Sequence, residues 1–124
     1  RCIMPTGGAT LRMAERAGLG NAMLHLLTGD EFNSAEAYRL NFVQEVVPAG
    51  QELDAAITIA HNIAEQAPAA VVATRLNTLK AVEQGPAAAV AEFIETQRVL
   101  ANSEDAAEGI RSFVERRPAR FTGR

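Results

Sequence analysis

Ser103-Glu104-Asp105-Ala106-Ala107-Glu108-Gly109-Ile110-Arg111-Ser112-Phe113-Val114-Glu115-Arg116-Arg117 reads as one helix with signals at both ends. Asn102 or Ser103 supplies a side-chain oxygen for the unpaired amides of the helix start. Glu104 and Asp105 put negative charge in the first turn, where aligned peptide dipoles leave partial positive charge. Pro118 ends the helix, and residues 119–124 read as a tail. Arg111, Arg116, Arg117 and Arg120 gather at and beyond the helix end, where cations are favoured. Their functional reading is a phosphate clamp.

Upstream of this segment the pattern stays helical. Pro86 opens a helix after Gly85, with Val90, Ile94, Gln97 and Leu100 in line. Before it, a helix starting at Pro68 puts Val72, Leu76, Leu79 and Val82 on one face. Residues 52–66 repeat Leu53, Ile57, Ala60 and Ile63 at helical spacing. The first fifty residues are cut more finely. An irregular lead-in over 1–8 closes at Pro5 and Gly7-Gly8, and a short helix follows from Ala9 to Ala17, ended by Gly18. A second helix over Asn21–Leu27 breaks at Thr28-Gly29-Asp30. Asn33-Ser34-Ala35-Glu36 has the cap and trailing acid of a third start. That helix ends near Leu40, where Asn41 tolerates a left-handed residue. Phe42–Val47, closed by Pro48, reads as the one short strand. The expected organisation is 1–50, short helices with a glycine turn and the one short strand, and 51–124, a longer helical region.

Bulk composition sets outer bounds. The chain has 124 residues, 48% of them apolar and 22% charged, as in an ordinary soluble domain. A net charge of -3 gives no long-range attraction to nucleic acid or to an acidic membrane. No stretch reaches the roughly 18–20 apolar residues that span a bilayer. Cys2 is the single cysteine, so an internal disulfide is excluded and a cytosolic location is the expectation. Residue 1 is Arg rather than Met, which points to a longer gene product or a missing start.

Catalytic constellations are absent from the pattern. There is no Gly-x-Ser-x-Gly turn, no phosphate-binding Gly-x-x-x-x-Gly-Lys-Ser/Thr loop and no metal-ligand spacing around His25 or His61. These two histidines read as packing or surface residues. Gly7-Gly8 before a helix lets a ligand approach the backbone and its free amides, and Met4-Pro5 beside it can wall an apolar pocket. As a bare motif the glycine pair reads more simply as a tight turn. Glu92 and Glu95 read as solvent-facing.

Five motifs occur in series: Pro5-Thr6-Gly7-Gly8-Ala9-Thr10-Leu11-Arg12, Leu26-Leu27-Thr28-Gly29, Ser34-Ala35-Glu36-Ala37, Val43-Gln44-Glu45-Val46-Val47-Pro48, and Ser103-Glu104-Asp105 with Glu108-Gly109, Phe113 and Glu115-Arg116-Arg117. Together they resemble the carboxyl-terminal half of a crotonase, the enoyl-CoA hydratase/isomerase family. The resemblance implies a mainly α chain, the helical end of an α/β fold built as a spiral of ββα units, with 1–50 the end of its core, pocket turn included, and 51–124 a helical trimerisation and CoA-lid region. It implies an acyl-CoA thioester as substrate, no cofactor beyond the coenzyme A that the substrate carries, and a homotrimer or dimer of trimers. It places the two oxyanion amides and both catalytic glutamates ahead of Arg1, so no catalytic residue is expected in this chain. Met4, Pro5, Thr6, Gly7 and Gly8 would line the pocket, with Thr6 where hydratases often have Gly. Leu26 and Leu27 would lie beneath the acyl chain, and Phe113 and Arg116 would meet the CoA adenine and phosphate. Asn41 stands where Gly is usual. The competing reading from composition and periodicity alone is a non-enzymatic helical assembly module.

Overall fold

The computed structural model describes residues 3–124, so Cys2 lies outside the described residues. Among the described residues there are eight α-helices: α1 (Ala9–Ala17), α2 (Leu19–Thr28), α3 (Ser34–Arg39), α4 (Glu52–Ala64), α5 (Pro68–Gln84), α6 (Pro86–Val90), α7 (Phe93–Ala101) and α8 (Glu104–Glu115). They fall into two units, divided between Glu52 and Leu53.

In the first unit α1 packs on α2. Gly18, at φ 77, separates them in a conformation open to glycine, and Ala22 on α2 is fully buried. Asn33 caps α3 by accepting the Glu36 N–H at 2.9 Å. At its other end Asn41 takes φ 60. The Asn41 N–H bonds to Tyr38 O and the Phe42 N–H to Ala37 O, the paired bonds of a Schellman ending. The left-handed ending expected at Asn41 is therefore present. The strand expected over Phe42–Val47 is not, since no described residue there is in a ladder. An extended segment becomes a strand only when a neighbour takes its backbone hydrogen bonds, and β-rich composition cannot supply that neighbour.

In the second unit α5 packs on α6 and touches α7, which in turn meets α8. The helix expected from Pro86 through Leu100 is split into α6 and α7 at Ala91–Glu92. The Ala89 carbonyl accepts both the Glu92 N–H at 3.3 Å and the Asn77 side-chain amide of α5 at 2.9 Å. Lys80 of α5 also pairs with Glu92. Both ties to α5 fall at the break between α6 and α7.

The tail is the largest departure from expectation. Asp105 is 5% exposed and accepts the Thr122 N–H at 2.7 Å and the Gly123 N–H at 2.8 Å. Its own N–H donates to the Arg124 carbonyl at 2.9 Å. Residues 119–124 are thus strapped to the start of α8 rather than free.

The core is thin. The fully buried apolar residues are Ala22, Leu40 and Ala89, while Leu53, Ile57, Ile63, Val72, Leu76 and Val82 all face outward. The periodic apolar positions stay exposed, apart from Leu100, which is half-buried.

Candidate functional site

The Pro5–Gly8 turn is exposed through Gly7, with Gly8 half-buried, and ends in two left-handed glycines, Gly7 at φ 69 and Gly8 at φ 87. Gly8 is the N-cap of α1 with no side chain to cap the helix, and its carbonyl accepts the Leu11 and Arg12 amides. Among the described residues the Gly7, Gly8 and Thr10 amides have no acceptor, the ordinary state of amides at a helix start. A Cβ on Gly8 would sit 3.4 Å from the Arg12 guanidinium carbon, and Arg12 Nη1 approaches the Gly7 carbonyl at 3.5 Å. Met4, Pro5 and Thr6 are exposed around this turn. Leu26 and Leu27 sit in the last turn of α2, the first half-buried and the second largely exposed.

On either side of Leu27 in the chain, His25 and Phe32 meet with ring centroids 4.8 Å apart, and Phe32 stacks on Phe42 at 5.7 Å. His25 is a packing residue, as its isolation in sequence indicated. Glu36 lies 3.9 Å from His25 Nε2, but its carboxylate is held by Arg39 Nε and Nη2, at 2.7 and 2.6 Å. That fork, chiefly, keeps Glu36 below the usual carboxylate range.

Phe113 and Arg116 belong to the second unit, at the end of α8. Phe113 is 85% exposed. Arg116 takes φ 52, which is unusual for a side chain of its size. Its N–H bonds to Phe113 O at 3.3 Å and the Arg117 N–H bonds to Ser112 O at 3.1 Å, a second Schellman ending. The helix therefore stops at Glu115, before Pro118 can end it. Arg117 is not part of an open phosphate clamp. Its guanidinium donates to Glu108 at 2.5 and 3.0 Å and to Glu115 at 2.6 Å. Glu108 also accepts the Arg120 N–H at 2.9 Å, and Arg111 lies 3.4 Å away. The Arg117 fork, then the Arg120 amide, push the Glu108 carboxyl down to about 2. Glu108 and Glu115 in turn raise Arg117 above its ordinary value. Of the four arginines, Arg116 and Arg120 alone have no ion-pair partner among the described residues.

Sequence reasoning missed the double acid, Asp105 and Glu108, that receives the returning tail. The signal was two acids three residues apart, hence on one helix face, ahead of a proline that turns the chain back. A groove of about 600 Å³ between α5 and α7, lined by Val72, Leu76, Val99 and Leu100, contains none of the nine residues singled out from sequence. No group of His, Cys, Asp and Glu able to hold a metal occurs among the described residues.

A family model described as enoyl-CoA hydratase/isomerase matches residues 2–124. The chain belongs to the enoyl-CoA hydratase/isomerase family. The crystal structure of a probable enoyl-CoA hydratase/isomerase from Mycobacterium abscessus is similar at TM-score 0.93 and 49% identity, over 100% of this chain and 48% of that one. An enoyl-CoA hydratase structure from Mycobacterium tuberculosis H37Rv gives TM-score 0.88 and 36% identity, over 100% and 49%. The 2,3-dehydroadipyl-CoA hydratase of Escherichia coli K12 is 30% identical over 98% of this chain and 48% of its own length. The chain spans about half the length of the curated crotonases it matches, the carboxyl-terminal half. The eight helices are accordingly the terminal helical part of a crotonase-type fold.

Proposed function

We propose that this chain is the substrate-docking and lid portion of an acyl-CoA hydratase/isomerase whose reactive groups lie on residues outside these 124. The observation that carries the proposal is the match of the whole chain to about half of each relative, at up to 49% identity in the cited structures. Under it, Met4, Pro5 and the Thr6–Gly8 turn wall the acyl end of the thioester. The Thr6 amide faces the acyl group or the reacting water, and Leu26 and Leu27 lie beneath the acyl chain. Phe113 and Arg116 take the adenine and a phosphate of CoA, reached from a neighbouring subunit of a homotrimer or dimer of trimers. The substrate brings coenzyme A, and no metal or other cofactor enters. The enzyme works in the cytoplasm.

The acids of this chain support the division of labour. A general acid or base needs a carboxylate with a shifted proton affinity and a free lone pair in a dry pocket. Asp105 and Glu108 are buried, yet their oxygens are spent on tail amides and on Arg117. Glu36 is spent on Arg39. Enolate stabilisation in such an enzyme is electrostatic, with preorganised amides each worth a few kcal/mol, and the proposal assigns those donors elsewhere.

The test is crotonyl-CoA hydration, followed by loss of the conjugated enoyl absorbance. The 124-residue chain alone should show none, and the chain joined to the amino-terminal half of the Mycobacterium abscessus relative should turn over. Hydration by the isolated chain would overturn the proposal. The assembly-module reading gains no support beyond exposed apolar stripes, which a docking half shows equally.

A further inference from the structure

A large side chain in the left-handed region persists only where its surroundings fix it. Arg116 is such a residue, at φ 52, and the bonds around it come from both directions along the chain. Behind it, the Arg116 and Arg117 amides close on Phe113 and Ser112. Ahead of it, the chain is tied back onto α8 by two carboxylates, chiefly that of Glu108. Glu108 receives the Arg117 fork and the Arg120 N–H together, and Glu115 takes Arg117 Nε. Residues 116–120 are therefore clamped against a helix that is itself clamped to the tail by Asp105.

Arg117 is consumed in the clamp, whereas Arg116, next to it, is exposed with no carboxylate in ion-pair range among the described residues. One arginine fixes the turn, and its neighbour is left to meet an anion. Phe113, three residues earlier, is exposed beside it. We infer that Glu108, acting through Arg117, is a positioning residue for nucleotide recognition. It holds Arg116 in its left-handed conformation so that the guanidinium and the Phe113 ring face a CoA phosphate and base together. The inference rests on the proposed role of Phe113 and Arg116. It adds that a half-buried ion pair touching no substrate sets that contact.

The test uses the full-length enzyme and two substrates, crotonyl-CoA and crotonyl-pantetheine, which lacks the phosphorylated nucleotide. The readout is the ratio of kcat/KM on the first to that on the second. E108Q should lower this ratio about tenfold, mostly through KM, the scale expected for losing one charge-assisted contact. R116Q should lower it at least as much. L40A, which empties a core position far in sequence from α8, should lower the unfolding midpoint without moving the ratio. If R116Q shifts the ratio and E108Q does not, the positioning role is wrong while the CoA reading stands. If R116Q leaves the ratio alone, the CoA reading fails and takes the inference with it. An equal shift in L40A would reduce Glu108 to a purely structural role. Should E108Q fail to fold, R117K replaces it, since lysine keeps the charge but cannot form the fork.

Discussion

Arg116 occupies a backbone region where a side chain costs about 1–2 kcal/mol and glycine costs little. Its side chain makes no ion pair among the described residues that would offset this. Arg116→Gly should therefore raise stability by roughly 0.5–1 kcal/mol in denaturant unfolding, and a β-branched Arg116→Val should lower it by about 1 kcal/mol. A stability loss in the glycine variant would mean that Arg116 has a structural contact of its own. Glu108 carries the clearest pH dependence. Its folded value of about 2 lies below the ordinary 4.5, so it binds its proton less readily when folded. Its contribution is complete above about 4.5 and fades as pH falls toward 2. The unfolding midpoint of E108Q should trail that of the wild type at neutral pH. The gap should close through that acid window, because a protonated Glu108 resembles glutamine. A gap independent of pH would show that the carboxylate charge is not what the clamp uses.

At the scale of elements, caps and stops were legible because each is a local transaction between a side chain and the backbone a few residues away. Ser103 accepts the Ala106 N–H at 3.0 Å, and Asn33 does the same for α3. Ser103→Ala should cost about 1 kcal/mol, read as a lower denaturation midpoint. Asn41 was readable for the same reason, as a residue tolerant of left-handed backbone. Three features were not legible, and each depends on a partner distant in sequence. Phe42–Val47 has the composition of a strand but no ladder. The break at Ala91–Glu92 is set by Asn77 and Lys80 of another helix. The tail is set by Asp105, whose first-turn position suggested only a dipole contact. The nine site residues came from motif resemblance, and the structure adds their exposure and backbone geometry. Asp105→Ala would leave the Thr122 and Gly123 amides without their acceptor. Hydrogen exchange at those two amides should speed up by an order of magnitude or more, while the interior of α4 stays unchanged. Unaltered exchange at Thr122 and Gly123 would show that the strap is held by something other than this carboxylate.

For the molecule as a whole, the decisive quantity is surface. The chain exposes 9964 Å² at 13.2 kDa, whereas a compact monomer of that mass exposes about 6,400 Å². Counting the two units as separate compact bodies raises the expectation only to about 7,700 Å². The remaining excess of about 2,200 Å² exceeds the roughly 800 Å² that one partner gives to a standard interface. Much of the exposed area is apolar side chain, including Leu27, Ile94, Phe113 and Val114. Exposed stripes of that kind mark docking faces, and left open they bind whatever apolar surface is available. The isolated 124-residue chain should therefore bind a hydrophobic dye strongly and melt over a broad range, because few side chains are buried cooperatively. The full-length protein should bind little dye, melt sharply and sediment as a trimer or a multiple of three. A sharp melt without dye binding for the isolated chain would mean that these faces close on themselves in solution. A stable full-length monomer would mean that intrachain packing alone covers them, leaving no face for the proposed neighbouring subunit, whose Phe113 and Arg116 are proposed to reach the nucleotide.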